Sequence, residues 1–190
     1  VALTPEQVED RLKALEARNL KLEKDLRAGR IDNRIPLLAT GFDLEDAIFP
    51  PAVRVTMSGA QTIGNNAFAS LTFNTEDFDT DTMHSTASNT NRITVNTAGI
   101  YLIIGSAEWA TIAAGRRITR LRVNGATEIA TGETGSAAGG SEFPCTTVAT
   151  LYKMEKADWV EVRVFQSRGG DLDVRSQLTF FTAIWQAPLP

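Results

Sequence analysis

From Ala52 onward the chain is a series of short apolar runs divided by turn residues, with no helical period between them. Nine candidate strands cover 53–57, 67–73, 92–95, 99–109, 117–123, 128–131, 146–154, 159–166 and 177–185. The punctuation between them is Gly64-Asn65-Asn66, Asn124-Gly125, Gly139-Gly140 and Gly169-Gly170. Such residues set up turns because Gly and Asn accept a left-handed backbone. Asn-Gly between two strand-like runs is a strong hairpin signal. Strand after strand without helices restricts the fold to an all-β sandwich or barrel.

Alternation predicts which faces are covered. Val160, Val162 and Val164 share one face, and Glu161 and Arg163 point to solvent. Leu121 and Val123 face in, and Arg120 and Arg122 face out. That is the normal half-buried antiparallel pattern. Two strands break it. In 99–109, Ile100, Leu102 and Ile104 take one face, while Tyr101, Ile103, Ala107 and Trp109 take the other. In 177–185, Leu178, Phe180 and Ile184 oppose Phe181, Ala183 and Trp185. A sandwich buries one face of each strand in its own core, so the second apolar face needs another cover. A neighbouring subunit is one cover; the apolar segment 31–51 is the other. Tyr101, Ile103, Phe181 and Trp185 are assigned to the subunit contact.

The first thirty residues carry a different period. Thr4, Pro5 and Gln7 form a helix start with a capping box. Val8, Leu12, Leu15, Leu22 and Leu26 then fit a heptad, with Leu12 and Leu26 at a and Val8, Leu15 and Leu22 at d. The remaining a position is Asn19, a residue type that fixes register when buried there. The g positions Arg11, Arg18 and Asp25 oppose e positions Glu16, Glu23 and Arg30 in sign, as parallel strands require. The alternative is an amphipathic helix packed on its own domain. A 24-residue helix from Pro5 to Ala28 is a rod of about 36 Å. The expected organisation is a coiled-coil stalk at 1–30, an extended connector at 31–51 and a head at 52–190.

Composition removes several functions. A net charge of -4 lacks the basic excess that nucleic acid or anionic lipid demands. No apolar run approaches the roughly 18 residues that would suggest a membrane-inserted helix. One cysteine, Cys145, and one histidine, His84, make neither an intrachain disulfide nor a His-rich zinc site. The chain starts at Val1, which points to a processed start or a piece of a longer protein. No signal-peptide pattern occurs in 3–30.

Thr97-Ala98-Gly99-Ile100-Tyr101-Leu102-Ile103 resembles the G-x-Y strand of C1q/TNF-like domains. Leu151-Tyr152-Lys153-Met154, followed by Ala157-Asp158-Trp159-Val160, resembles their next hallmark, a strand, an acidic tight turn and an apolar strand. The run from Leu178 to Trp185 resembles the closing strand. Phe68, Leu71 and Phe73, with the stretch from Glu76 to Asp81, resemble C1q-like heads of phage and bacterial structural proteins. The resemblance implies a ten-stranded jelly roll, a homotrimer about a three-fold axis, and often a trimeric stalk before the head. The stalk departs from the collagen type, because no Gly-X-Y repeat is present.

Chemistry-bearing residues are few. Asp77, Asp79 and Asp81 begin like a calcium loop, but Thr82 and Ser88 stand where an EF-hand needs Gly and Glu. Some C1q-like heads bind calcium, so these carboxylates are calcium candidates; the alternative is a solvated acidic turn. No other cofactor is expected. His84 lies in a polar loop without a nucleophile motif and is expected to be solvated. Arg116, Arg117, Arg120 and Arg122 form a basic cluster. It suits the solvent face of a strand, intersubunit salt bridges, an acidic glycan or a partner carboxylate.

The expectation is a non-enzymatic virion surface fibre or spike, a homotrimer that displays its head and attaches to a host glycan or surface protein. Other virion proteins would be held through the stalk or connector. A capsid decoration or connector protein is the alternative, and a cellular adhesin on an extracellular surface is a third reading. No ligand-binding residues are assigned.

Overall fold

The computed structural model describes residues 50–111, 114–135 and 142–189, together with Glu9, Lys13 and Lys24. The stalk positions Val8, Leu12, Leu15, Asn19, Leu22 and Leu26 lie outside the described residues, as does the connector before Pro50. The chain divides into two units, Val1–Phe49 and Pro50–Pro190. In the first, Glu9, Lys13 and Lys24 are helical and exposed. Glu9 and Lys13, four residues apart, form an ion pair at 2.9 Å, the spacing that brings helical side chains together.

The second unit is an all-β sandwich. Its strands are β1 (Ala52–Thr56), β2 (Gln61–Ile63), β3 (Phe68–Ser70), β4 (Thr75–Asp79), β5 (Arg92–Thr94), β6 (Gly99–Trp109), β7 (Arg117–Val123), β8 (Thr127–Thr134), β9 (Cys145–Met154), β10 (Trp159–Gln166) and β11 (Leu172–Ala187). Sheet A has the order β4-β1-β11-β6-β9, with β2 also on β11. Sheet B has the order β3-β10-β7-β8, with β5 also on β10. Every pairing is antiparallel.

Eleven strands form among the described residues, against nine read as candidates and ten implied by the resemblance. The additions are short. β2 pairs with the first part of β11, which begins at Leu172 rather than 177. β4 forms from the acidic stretch because β1 offers its backbone; it pairs through a bulge that leaves Asp77 opposite no residue of β1.

The core lies between the sheets. Val53 and Val55 of β1, Tyr101 and Ile103 of β6, and Phe181 of β11 are buried there, as are Leu121 of β7 and Val160, Val162 and Val164 of β10. Phe73 packs on Phe181 with ring centroids 5.6 Å apart. The Asn124-Gly125 turn joins β7 to β8 as its sequence predicts. Both residues are left-handed, with φ of 51° and 69°, the I′ requirement for two-residue hairpin turns.

The Gly99-x-Tyr101 pattern has a packing cause. A Cβ on Gly99 would stand 2.1 Å from Trp185 Nε1 and 2.8 Å from the Ala187 carbonyl. The absent side chain therefore admits the indole, and Tyr101 anchors the same corner by donating to the Thr97 carbonyl at 2.6 Å. Gly99→Ala is expected to cost about 1–3 kcal/mol through overpacking, read as a lowered denaturant midpoint at unchanged slope.

Candidate functional site

β6 and β11 are central in sheet A, and both are apolar on two faces. Their register aligns the outward residues into rows across the sheet. One row runs Leu151, Leu102, Ile184, Ala52. The next runs Ala149, Ile104, Thr182, Arg54 and reaches Phe78 on β4. Leu151 is 62% exposed and Phe78 44%, while Leu102, Ile104, Phe180 and Ile184 are half-buried. Arg54 borders this surface, stacked 4.8 Å over Phe180 and ion-paired with Asp77. β11 bulges between Arg175 and Phe180, so that Leu178 stands 60% exposed. The Thr179 hydroxyl closes that bulge by accepting from the Glu108 amide at 3.0 Å.

The face assignment made from sequence is reversed. Tyr101, Ile103, Phe181 and Trp185 are 7% exposed or less and belong to the core between the sheets. They are spent inside the subunit and are not accessible to a neighbour. Alternation separates two sets of residues, but a strand apolar on both sides gives no sign of which set faces in. The accessible set is Ile100, Leu102, Ile104, Phe180 and Ile184, extended by Leu151.

The acidic stretch is built by backbone bonds. The Asp79 carboxylate accepts from the amides of Asp81 at 3.2 Å, Met83 at 3.0 Å and His84 at 2.8 Å. Asn96 donates to the carbonyls of Asp81 and Thr82 at 2.7 and 2.9 Å. Asp77 is held by Arg54 instead. Among the described residues, no three His, Cys, Asp or Glu side chains are grouped to hold a metal ion.

His84 is not a solvated loop residue; its side chain is fully buried. Nδ1 lies 2.8 Å from Glu76 Oε1, and Nε2 lies 3.3 Å from the Thr90 carbonyl. Both ring nitrogens thus lie within hydrogen-bond reach of an oxygen acceptor. The ring ties β4, through Glu76, to the loop before β5, through Thr90. The signal that this histidine is buried comes from partners six and eight residues away, which no local pattern exposes.

The basic cluster divides. Arg117 is in the core, and burial pushes its guanidinium below the ordinary value. Arg120 and Arg122 do face outward, but onto carboxylates: Arg120 to Glu128 at 2.7 Å and Arg122 Nε to Glu161 at 2.6 Å. Glu161, expected in solvent, is 2% exposed. Its other oxygen accepts from Ser70 Oγ at 2.6 Å and Asn91 Nδ2 at 3.3 Å. Burying a charge demands such partners.

A cleft of ≈ 630 Å³ opens beside β2, lined among others by Ser58, Gln61, Thr72 and Asn74. Its amides are already engaged. Gln61 accepts from the Thr72 amide at 2.9 Å and donates to the Ser70 carbonyl at 3.0 Å. Asn74 donates to Ser58 Oγ at 2.7 Å.

No family model matches the sequence, and no curated protein matches it. Solved structures do match. The head is similar to the Eiger TNF of S. frugiperda at 15% identity and TM-score 0.56, covering 74% of this chain and 96% of that one. It is similar to the globular domain of the zebrafish complement 1qA protein at 17% identity and TM-score 0.53, covering 73% and 99%. Murine APRIL at pH 5.0 matches at 9% identity and TM-score 0.54, covering 72% and 98%. The head therefore has the TNF/C1q-like jelly-roll fold.

Removing one partner of the buried Arg122–Glu161 pair leaves an uncompensated charge. Glu161→Ala is expected to cost about 3–5 kcal/mol. In a double-mutant cycle with Arg122→Ala, the combined loss should fall short of the sum of the single losses, measured by denaturant unfolding.

Proposed function

We propose that this chain is a non-catalytic homotrimer that displays its head on a virion surface, as a fibre or spike, and attaches the particle to a host. The observation that carries the reading is the apolar outer face of sheet A. Leu151, Leu102, Ile184 and Ile104 align across neighbouring strands and remain in part open to solvent. Contiguous apolar surface of this kind marks an interaction site. Fully burying one such side chain is worth about 1.5–3 kcal/mol, so a few suffice for a stable contact.

The occupant proposed is a second copy of the chain. The TNF/C1q-like fold supports this, because the resemblance in sequence implies a trimer. The heptads of Val8 to Leu26 support it independently, since a parallel coiled coil brings copies together at the N-terminal end. Three heptads are marginal alone, so stalk and sheet face would reinforce each other. A trimer also presents three copies of any ligand site, and linked weak sites gain avidity without new contacts. The virion setting rests on the resemblance of Phe68 to Phe73 and Glu76 to Asp81 to phage heads.

Competition tests the attachment role. Purified chain of residues 1–190 in excess should block adsorption of its parent particle to host cells. The double variant Leu102→Asp, Leu151→Asp should need at least about tenfold more protein, through loss of avidity. A chain that leaves adsorption unchanged and instead binds particles lacking it overturns the attachment reading.

A further inference from the structure

The outer face of sheet B carries an arginine row whose carboxylate partners run out before its arginines do. Arg92, Arg116, Arg120, Arg122 and Arg163 lie on this face, on β5, on β7 or at its start, and on β10. Among the described residues, the carboxylates there are Glu128, Glu133 and Glu161. Each is taken: Glu128 by Arg120, Glu161 by Arg122, and Glu133 by Arg116 at 3.7 Å. The whole chain is acidic, at -4, so a face with excess positive charge is a local segregation and not a reflection of composition.

Arg163 is the residue left over at the centre. It pairs across the sheet with Arg120 on one side and Ser70 on the other. Its guanidinium stacks 5.1 Å from the Phe68 ring, which Arg120 also covers at 4.4 Å. Phe68 in turn packs on Phe165 at 5.1 Å. Among the described residues Arg163 forms no ion pair within reach, and its Nε is buried without a hydrogen-bond partner. Burial and the neighbouring Arg122 both hold its guanidinium below the ordinary value. Arg120 adds to this, while Glu161 and Glu128 act in the opposite direction; an anion placed beside Arg163 would offset the repulsion from its arginine neighbours. Stacking engages a face of the guanidinium, and its planar fork is the geometry that matches a carboxylate at two points.

We propose that Arg163, flanked by Arg120 and Phe68, binds the carboxylate of an acidic glycan. This names the ligand class for the attachment role and rests on that reading. The row already holds carboxylates on Arg120 and Arg122, and the glycan carboxylate extends it onto Arg163. Phe68 and Phe165 stay half-buried beneath the guanidiniums of Arg120, Arg163 and Arg116, so only the part of each ring left open gives a sugar's C–H face apolar surface beside the charge. An acidic peptide fits less well here. The backbones of β7 and β10 are used in ladders on both sides, so a peptide lying on the face finds no strand edge to pair with.

Binding of residues 1–190 is measured against immobilised polygalacturonate, dextran sulfate, polyglutamate and neutral dextran, with competition for host adsorption run alongside. Polygalacturonate should bind, neutral dextran should not, and added salt should weaken the binding. Arg163→Gln should weaken it about tenfold or more, the loss expected for a charged hydrogen bond. Arg163→Lys keeps charge and fold and should recover only a minor part, because it lacks the fork. The thermal midpoint of each variant, read beside the binding, separates lost contact from lost fold. Equal binding by Arg163→Gln overturns the site. Tighter binding to polyglutamate overturns the glycan in favour of an acidic peptide, and tighter binding to dextran sulfate overturns the carboxylate in favour of a sulfate. If the wild type blocks adsorption yet ignores polygalacturonate, the glycan assignment fails and attachment stands. If the wild type does not block adsorption, attachment itself fails.

Discussion

The pairing of β6 with β11 is the contact on which the rest of the head depends. It joins the two longest strands, of 11 and 16 residues, at the centre of sheet A. Side chains alternate across a strand, so this pair projects apolar residues both into the sandwich and away from it. Inward, Tyr101, Ile103, Phe181 and Ala183 build the core with β7 and β10. Outward, Leu102, Ile104 and Ile184 form a surface that β1 and β9 widen. A one-residue slip would exchange the two sets. Gly99 resists it by admitting Trp185 at one end, and Thr179 fixes the bulge at the other.

The two sheets solve the problem of their outer faces in opposite ways. Sheet A leaves apolar rows open, which suits a contact with another copy. Sheet B covers its outer face with arginines laid over Phe68, Phe165 and Trp159, tied to glutamates. Cation–π stacking keeps a guanidinium partly hydrated while shielding an aromatic ring. An edge strand of short acidic character, β4, guards the open edge beside β1, since exposed edges invite unwanted pairing. On the reading proposed, one face meets another copy and the other an anionic ligand.

Much of the head was legible in its sequence. Residues 99–109, 117–123 and 159–166 form strands with the bounds their alternation predicts. The Asn124-Gly125 turn needed no tertiary knowledge either. What stayed hidden depended on partners distant along the chain. The stretch Thr75–Asp79 reads as a loop because Asp and Glu are poor strand formers, and it becomes β4 only because β1 lies beside it. Glu161 reads as solvent-facing until Ser70, Asn91 and Arg122 converge on it. His84 reads as a polar loop residue until Glu76 and Thr90 enclose it. The arginine row was half visible: the cluster from Arg116 to Arg122 is local, but Arg163 joins it only through the β7–β10 register.

The central claim is that the outer face of sheet A is a contact between copies. The direct measurement is the solution mass of residues 1–190 by sedimentation equilibrium at micromolar concentration. The account predicts a single species of three times the 20.6 kDa chain mass. A species of one chain mass across the concentration range would contradict it, and would leave Leu102, Ile104, Leu151 and Ile184 as surface facing water.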